Sequence, residues 1–300
     1  MGPRRLHGVP GKTVYQTSPS AQEATLTPDI DPSPAPFGAF APNAPQALVI
    51  RMAHGSRLKR GAFRPMLTRA VDLLRTGPVD VDYQGANFRF YHQASATERG
   101  ALFNPDYNRE ELEFLRGYLP QGGVAVDVGA NVGTFALPLG RHVGPRGLVI
   151  AIEPHPVTHA RLSFNRNASG LGQVRLVAAA AGETDGEVMI ETDGDNLGAS
   201  HIVTNTIGAE TFRVPGLRLQ AILEQAGATK VDALKIDVEG FEDRVLTCFF
   251  RDAPATLWPR AVVIEHLSRD EWQNDCLADM ISRGYRQIGR TRSNTLLLQG

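Results

Sequence analysis

From Gln121 onward the chain repeats one alternation: a short β-branched run, a glycine or proline, a segment with helical spacing, then another β-branched run. GVAVDVG, LVIAIEP, QVRLVAAA, VDALKIDVEG and AVVIEHL are the strand-like runs. GTFALPLGRHV, PVTHARLSFNRNA, LRLQAILEQAG and FEDRVLTCFF are helical. Strands separated by helices are joined by crossovers, so this α/β region should form one mostly parallel sheet with helices on both faces. EVMIE and the stretch around Phe212 to Val214 read as added strands, joined by a polar loop, GDNLGASHIVTN. RDEWQNDCLADMISRG reads as one helix. YRQIGRT and NTLLLQ follow with no helix between them and should close the sheet as an antiparallel hairpin.

Upstream the character differs. Residues 1–46 carry nine of the twenty prolines and no hydrophobic period, so they read as a mobile arm. Residues 47–120 form a second section, and 121–300 the sheet domain. No acid occurs between Asp31 and Asp72, whereas Arg51, Arg57, Lys59, Arg60, Arg64 and Arg69 alternate with apolar residues. That basic helical lead-in, residues 47–74, suits either a solvated face or peripheral contact with an anionic substrate, lipid surface or partner. VDVDYQGANFRFYHQ reads as a small hairpin and Asn108 to Leu119 as a helix. With 31 Lys+Arg against 32 Asp+Glu there is no positive excess for a nucleic-acid partner. Two cysteines without metal spacing, no apolar leader at the start and no run of membrane-spanning length point to a soluble cytoplasmic protein.

The chemistry is concentrated in Val124-Ala-Val-Asp127-Val-Gly129-Ala-Asn131-Val-Gly133, a buried strand entering a glycine turn and then a helix. Glycine there lets a ligand approach the backbone. A dinucleotide fingerprint would need glycines where Asn131 and Thr134 stand. Asp127 would also repel a pyrophosphate, so the cofactor should carry positive charge. Glu153, twenty residues after Gly133 at the second strand end, is placed to accept both hydroxyls of a ribose.

DVGANVGTF, AIEPHP, FNRN at Phe164 to Asn167, and above all LKIDVEGFE at Leu234 to Glu242, resemble the FkbM family of S-adenosylmethionine-dependent methyltransferases over about Phe88 to Gly300. The resemblance implies a class I methyltransferase (Rossmann-like) sheet of seven strands. It implies that Asp127, Gly129, Asn131 and Gly133 hold the methionine part of S-adenosyl-L-methionine, Glu153 the ribose, and the stretch around Ala180 and Ala181 the adenine. Where the family often shows Thr-Leu-Asp, this chain has Leu219, Gln220 and Ala221.

Lys235, Asp237 and Glu239 alternate and would share one side if the strand ran that far, with Asp237 or Glu239 orienting a hydroxyl nucleophile. The same trio could gather a divalent metal, though nothing in the spacing calls for one; a salt-bridged cap on the next helix is the plainer alternative. His266, at a strand end beside Glu265, is the expected general base. His155 should open a helix, and His201 lies in the polar loop, whose Asn196, Ser200 and Asn205 would suit a lid. The expected activity is O-methylation of a small-molecule or glycan hydroxyl acceptor. The rival readings are a nucleotide-dependent oxidoreductase and a non-catalytic binding protein.

Overall fold

A computed structural model describes residues 33–193, 196–202 and 211–300, with backbone alone for 192–193 and 196–202. In chain order the elements begin with α1 (Ala44–His54), two 3₁₀ turns, α2 (Arg64–Leu74), β1 (Val79–Tyr83), β2 (Ala86–Phe90), α3 (Ala96–Phe103) and α4 (Arg109–Tyr118). Then come β3 (Val124–Val128), α5 (Ala136–Val143), β4 (Leu148–Ile152), α6 (Pro156–Ala168) and β5 (Val174–Val177). A short insertion follows: β6 (Ala180–Gly182), β7 (Gly186–Asp193), β8 (Asn196–Ile202) and β9 (Thr211–Arg218). The chain ends with α7 (Leu219–Gln225), β10 (Ala233–Ile236), α8 (Glu242–Asp252), β11 (Ala261–Glu265), α9 (Cys276–Ser282), β12 (Tyr285–Arg290) and β13 (Asn294–Gln299).

Seven strands form the main sheet in the order β12-β13-β11-β10-β3-β4-β5, and β13 alone runs against both of its neighbours. From β3 the chain steps outward to β4 and β5, then returns to the other side of β3 as β10. The order therefore switches between β3 and β10, where a crevice opens at the carboxyl ends of the strands. Across that switch Asp127 pairs with Lys235 and Val128 with Ile236.

The two sheet faces differ. Val126, Val128, Ile150, Ile152, Leu234 and Ile236 pack with α7, α8 and α9 in one apolar cluster. Their odd-numbered neighbours, including Ala125, Ala151, Ala233 and Val263, join a second cluster with Ile50, Phe88, Phe103, Leu112 and Leu115. The section before the sheet thus shares the covering of one sheet face with α5 and α6. Small alanines on that face let α4 and α5 lie close, while branched side chains fill the other.

The hairpin forms as expected, with Gln84 (φ 53°) and Gly85 (φ 83°) alone in its turn, the positive-φ pair that a tight two-residue hairpin requires. Three expectations need correction. The arm does not reach residue 46: α1 begins at Ala44, capped by Asn43, and the backbone of Ser33, Ala35 and Pro36 is held by Arg89. Residues 1–32 lie outside the described residues. The polar loop contains β8, paired antiparallel to β7, because a ladder is made by backbone N–H and C=O groups and does not require an apolar run. The side chains of Asn196, Ser200 and His201, and all of Asn205, are outside the described residues. Lastly, the final helix is split into a 3₁₀ turn at Arg269–Glu271 and α9. Asp243 Oδ2 accepts from the Gln273 and Asn274 N–H groups (both 2.9 Å), and Asp275 caps α9. Those bonds draw the intervening backbone out of helix.

Candidate active site

The crevice at the switch is a cleft of ≈ 1050 Å³, counted to its open mouth. It gathers eight of the eleven expected site residues, Gly129, Asn131 and Glu153, then Ala180 and Ala181, then Lys235, Asp237 and Glu239, whereas Asp127, Gly133 and His266 do not line it. Strand alternation explains this, since Asp127, Glu153, Lys235 and Glu265 all carry the odd-face parity of Ala125, Ala151, Ala233 and Val263.

Asp127 lies beneath the floor, fully buried. Neither of its carboxylate oxygens has a hydrogen bond among the described residues; the Ala136 N–H faces the group without closing to a bond, and Lys235 Nζ is 3.6 Å away. Burial raises its pKa to about 6, against the pull of Lys235. Lys235 donates to the Gly129 carbonyl (2.9 Å) and lies 3.6 Å from Asp237. Burial works against its charge, but Asp237, Asp127 and Glu153 outweigh burial and hold its pKa above the ordinary lysine value.

Gly129 (φ 75°) needs to be glycine for a reason the sequence does not show: a Cβ there would overlap the Asp237 carbonyl oxygen of the neighbouring strand end. At Gly133 (φ 97°) a Cβ would sit 2.6 Å from Leu162 and 2.9 Å from Leu137, so this glycine packs helices. The turn does not run straight into the helix either, because α5 starts only at Ala136.

Glu153 accepts from the Asn131 N–H (2.7 Å), the His155 N–H (2.9 Å) and the Thr158 hydroxyl (2.8 Å), which fix its orientation. Burial raises its pKa in spite of these bonds. Asn131, at φ 49°, also accepts the Val132 N–H. His155 caps α6 as expected, and burial lowers its pKa to about 4.

The pleat does not carry Lys235, Asp237 and Glu239 to one side, since β10 stops at Ile236 and Glu239 is left-handed (φ 51°). Glu242 shapes this loop by accepting from the N–H groups of Val238 and Gly240 (2.6 and 3.1 Å) and from the Trp272 indole (2.9 Å). Glu239 lines the cleft and makes no hydrogen bond among the described residues. Burial first, then the charges of Asp237, Glu265 and Glu242, raises its pKa to about 7.

His266 does not reach the cleft. Its N–H continues the ladder to Ser293 O (2.9 Å) and its ring meets Thr295 Oγ1 (3.1 Å), because parity puts residue 266 on the face opposite Glu265. The acids that could gather a cation are Asp237, Glu242 and Glu265, with oxygens within 4.8 Å of one another, instead of the expected trio. Glu242 and Glu265 already accept backbone N–H groups, which leaves few lone pairs for an ion.

Part of the lining was missed by sequence reasoning: Thr97, Tyr107 and Asn108 from the lead-in, and Ser293 and Asn294 from the closing hairpin. Tyr107 packs against Gly100, where a Cβ would lie 2.6 Å from its ring, and its carbonyl accepts the Tyr83 hydroxyl. No sequence signal marks this contact, because Gly100 and Tyr107 meet only in the folded chain.

A sheet in this order, with an acid at the end of its first strand and another after the second, has the architecture of class I S-adenosylmethionine-dependent methyltransferases. The profile of the Methyltransferase FkbM domain matches residues 127–286, more than half of the chain, and the chain belongs to that family. Its cofactor is S-adenosylmethionine. The AMB antimetabolite synthetase AmbE of Pseudomonas aeruginosa is 28% identical over 204 residues, 55% of this chain but 10% of AmbE, so the chain spans about a tenth of that relative's length. Among solved structures, an rRNA methylase from Streptococcus thermophilus superposes with a TM-score of 0.39 at 11% identity, covering 63% of this chain and 94% of that one. M. jannaschii TYW2 in complex with AdoMet gives 0.36 at 16% identity, covering 74% and 83%. A SAM-dependent O-methyltransferase from Thermotoga maritima gives 0.39 at 15% identity, covering 63% and 64%. No described helix is long and apolar enough to cross a membrane.

Proposed function

We propose that the chain methylates a hydroxyl oxygen of a small-molecule or glycan acceptor in the cleft between β3 and β10. The observation that carries this reading is the buried Asp127 carboxylate, left without a hydrogen bond beneath a cofactor-sized cleft. A buried carboxylate with no hydrogen bond of its own and its paired ammonium 3.6 Å off suits a ligand with positive charge and disfavours a pyrophosphate. Family membership separately sets the oxidoreductase reading aside.

Gly129 and Asn131 would hold the methionine end of the cofactor over the buried Asp127, Glu153 the ribose, and Ala180 and Ala181 the adenine, while Gly133 packs α5 on α6 instead. When bound, the cofactor supplies an electrophilic methyl group on positive sulfur. Lys235 positions the floor by tying the Gly129 carbonyl to the two aspartates. Glu239 takes the place first given to His266: it accepts the proton of the acceptor hydroxyl, its pKa of about 7 being matched to neutral pH. Asp237, beside it, orients that hydroxyl.

The experiment is transfer of labelled methyl from S-adenosylmethionine to a mixture of hydroxylated acceptors, followed by Glu239→Gln. Removing a general base typically costs about 10² to 10⁴-fold in kcat. We expect a loss in that range with cofactor affinity kept in calorimetry; full activity in the variant would remove Glu239 from the chemistry.

A further inference from the structure

α1 and α2 form a hairpin of helices, tied where Gln46 Nε2 donates to the carbonyls of Val71 and Arg75 (3.2 and 3.1 Å). Ile50, Ala53, Leu67 and Val71 supply its packed face. Its other face is apolar too. Of nine large hydrophobic side chains exposed among the described residues, six fall in this one hairpin: Leu48, Met52, Phe63, Met66, Leu73 and Leu74, with Leu73 at 88%. Helical spacing groups them, Leu48 and Met52 one turn apart on α1, Met66 and Leu73 two turns apart on α2. None is needed to hold the hairpin on the sheet.

Cations are interleaved with these side chains. Arg51, Arg57, Arg60 and Arg69 are all exposed, and no acid occurs between Asp31 and Asp72 to neutralise them. Lys59, by contrast, is bonded to Asp106 (2.7 Å). Two open hollows adjoin at the link between the helices. One, of ≈ 770 Å³ counted to its mouth, has Met52, Leu58 and Phe63 in its lining, with Arg51 and Arg57. The other, of ≈ 650 Å³, has His54, Arg57, Lys59 and Arg60. Gly55, Ser56 and Arg57 belong to both, so an apolar hollow lies directly beside a basic one.

An exposed apolar patch of this kind marks a surface that a partner covers, and the charges say which. A second copy of the chain would bring the same cations face to face. Nucleic acid offers phosphates but no aliphatic layer for Met66 or Leu73. An acidic protein would need carboxylates fixed opposite four separated arginines, whereas the mobile headgroups of a bilayer gather wherever a cation stands. An anionic bilayer supplies acyl chains beneath a plane of negative charge and needs no deep groove.

We propose that the α1–α2 hairpin docks on an anionic lipid bilayer, with Met52, Phe63, Met66 and Leu73 entering the acyl boundary and Arg51, Arg57, Arg60 and Arg69 meeting the headgroups. The inference is independent of the chemistry assigned to the cleft.

The test is co-sedimentation of the full chain with vesicles of phosphatidylcholine alone and of phosphatidylcholine mixed equally with phosphatidylglycerol. Binding to the anionic vesicles is expected, with little to the neutral ones, and it should weaken with added salt. An arginine at an anionic surface is worth about fivefold in affinity, so the double variant Arg57→Gln/Arg60→Gln should lose about 25-fold. Phe63→Ser/Met66→Ser should lose about tenfold or more, because two buried apolar side chains are removed. All four side chains are exposed, and an unchanged urea midpoint shows that both variants are folded. No binding to anionic vesicles, or equal binding to neutral ones, overturns the proposal. Wild-type binding by Phe63→Ser/Met66→Ser overturns it as well, since the chain is then adsorbed by charge alone. Light scattering without lipid supplies the last arm: the same particle size is expected for wild type and Phe63→Ser/Met66→Ser, and a larger wild-type assembly that this variant disperses assigns the face to a second copy instead.

Discussion

Two buried ion pairs lie on the same side of the sheet and behave in opposite ways. In the lead-in, Arg89 and Asp80 are both fully enclosed, and all five guanidinium N–H groups are used: two on Asp80 (2.7 and 2.9 Å) and three on the carbonyls of Ser33, Ala35 and Pro36. Asp80 also accepts the Gly38 and Phe40 N–H groups, and the rings of Phe40 and Phe164 flank the guanidinium at 4.6 and 4.1 Å. In the cleft, Lys235 and Asp127 are as deeply buried yet stand 3.6 Å apart, with both carboxylate oxygens short of a partner. A pair whose every donor is spent holds a chain together, and one with capacity left over is set to receive a ligand.

That contrast can be broken at either end. The largest effect is expected for Arg89→Met, which strands Asp80 in the interior; breaking one side of a buried pair costs about 3–5 kcal/mol, read as a lowered urea midpoint. Asp127→Asn should leave that midpoint unchanged or raise it, and should instead weaken S-adenosylmethionine binding about ten- to a hundredfold, about 1.4–2.8 kcal/mol, by removing the negative charge beneath the site. A lowered midpoint with intact cofactor affinity would reverse the two roles.

pH sharpens the comparison further. The folded-state pKa of Asp127, about 6, lies above its ordinary 3.8, so between these values the native chain binds more protons than the unfolded one. Its contribution to stability is therefore fully present below about pH 4 and lost as pH rises through 6. Cofactor affinity should run the other way, rising through pH 6 as the carboxylate ionises to meet a cationic ligand, and Asp127→Asn should flatten both profiles. The smallest effect is expected for His266→Ala: with its ring on Thr295 and outside the cleft, kcat should change less than about threefold, well short of what removing a general base costs.

Much of the architecture was readable in advance because hydrophobic alternation and crossover rules act locally. The parallel strands, the small hairpin and the reversed final hairpin each follow from a few neighbouring residues, although the turn expected over Gln84 to Asn87 closes in Gln84 and Gly85 alone. The site was readable to the extent that strand ends converge at a switch in order, which brings Glu153, Lys235 and Asp237 together. What stayed hidden depends on contacts distant in sequence. His266 falls on the wrong face because β11 runs straight through Glu265, and the same parity rule could have shown this. Glu239 escapes the alternation because Glu242 bends the loop under it, and Tyr107 enters the cleft through a lead-in with no period to announce it.

At the Gly129–Asp237 contact, the ends of the two central strands touch with no room for even a methyl group. The bottom of the cleft is therefore a joint that substitution cannot widen. Relatives that change their choice of acceptor would have to do so in the surrounding walls, in the helices before the sheet and the hairpin after it, while the seam between β3 and β10 stays as it is.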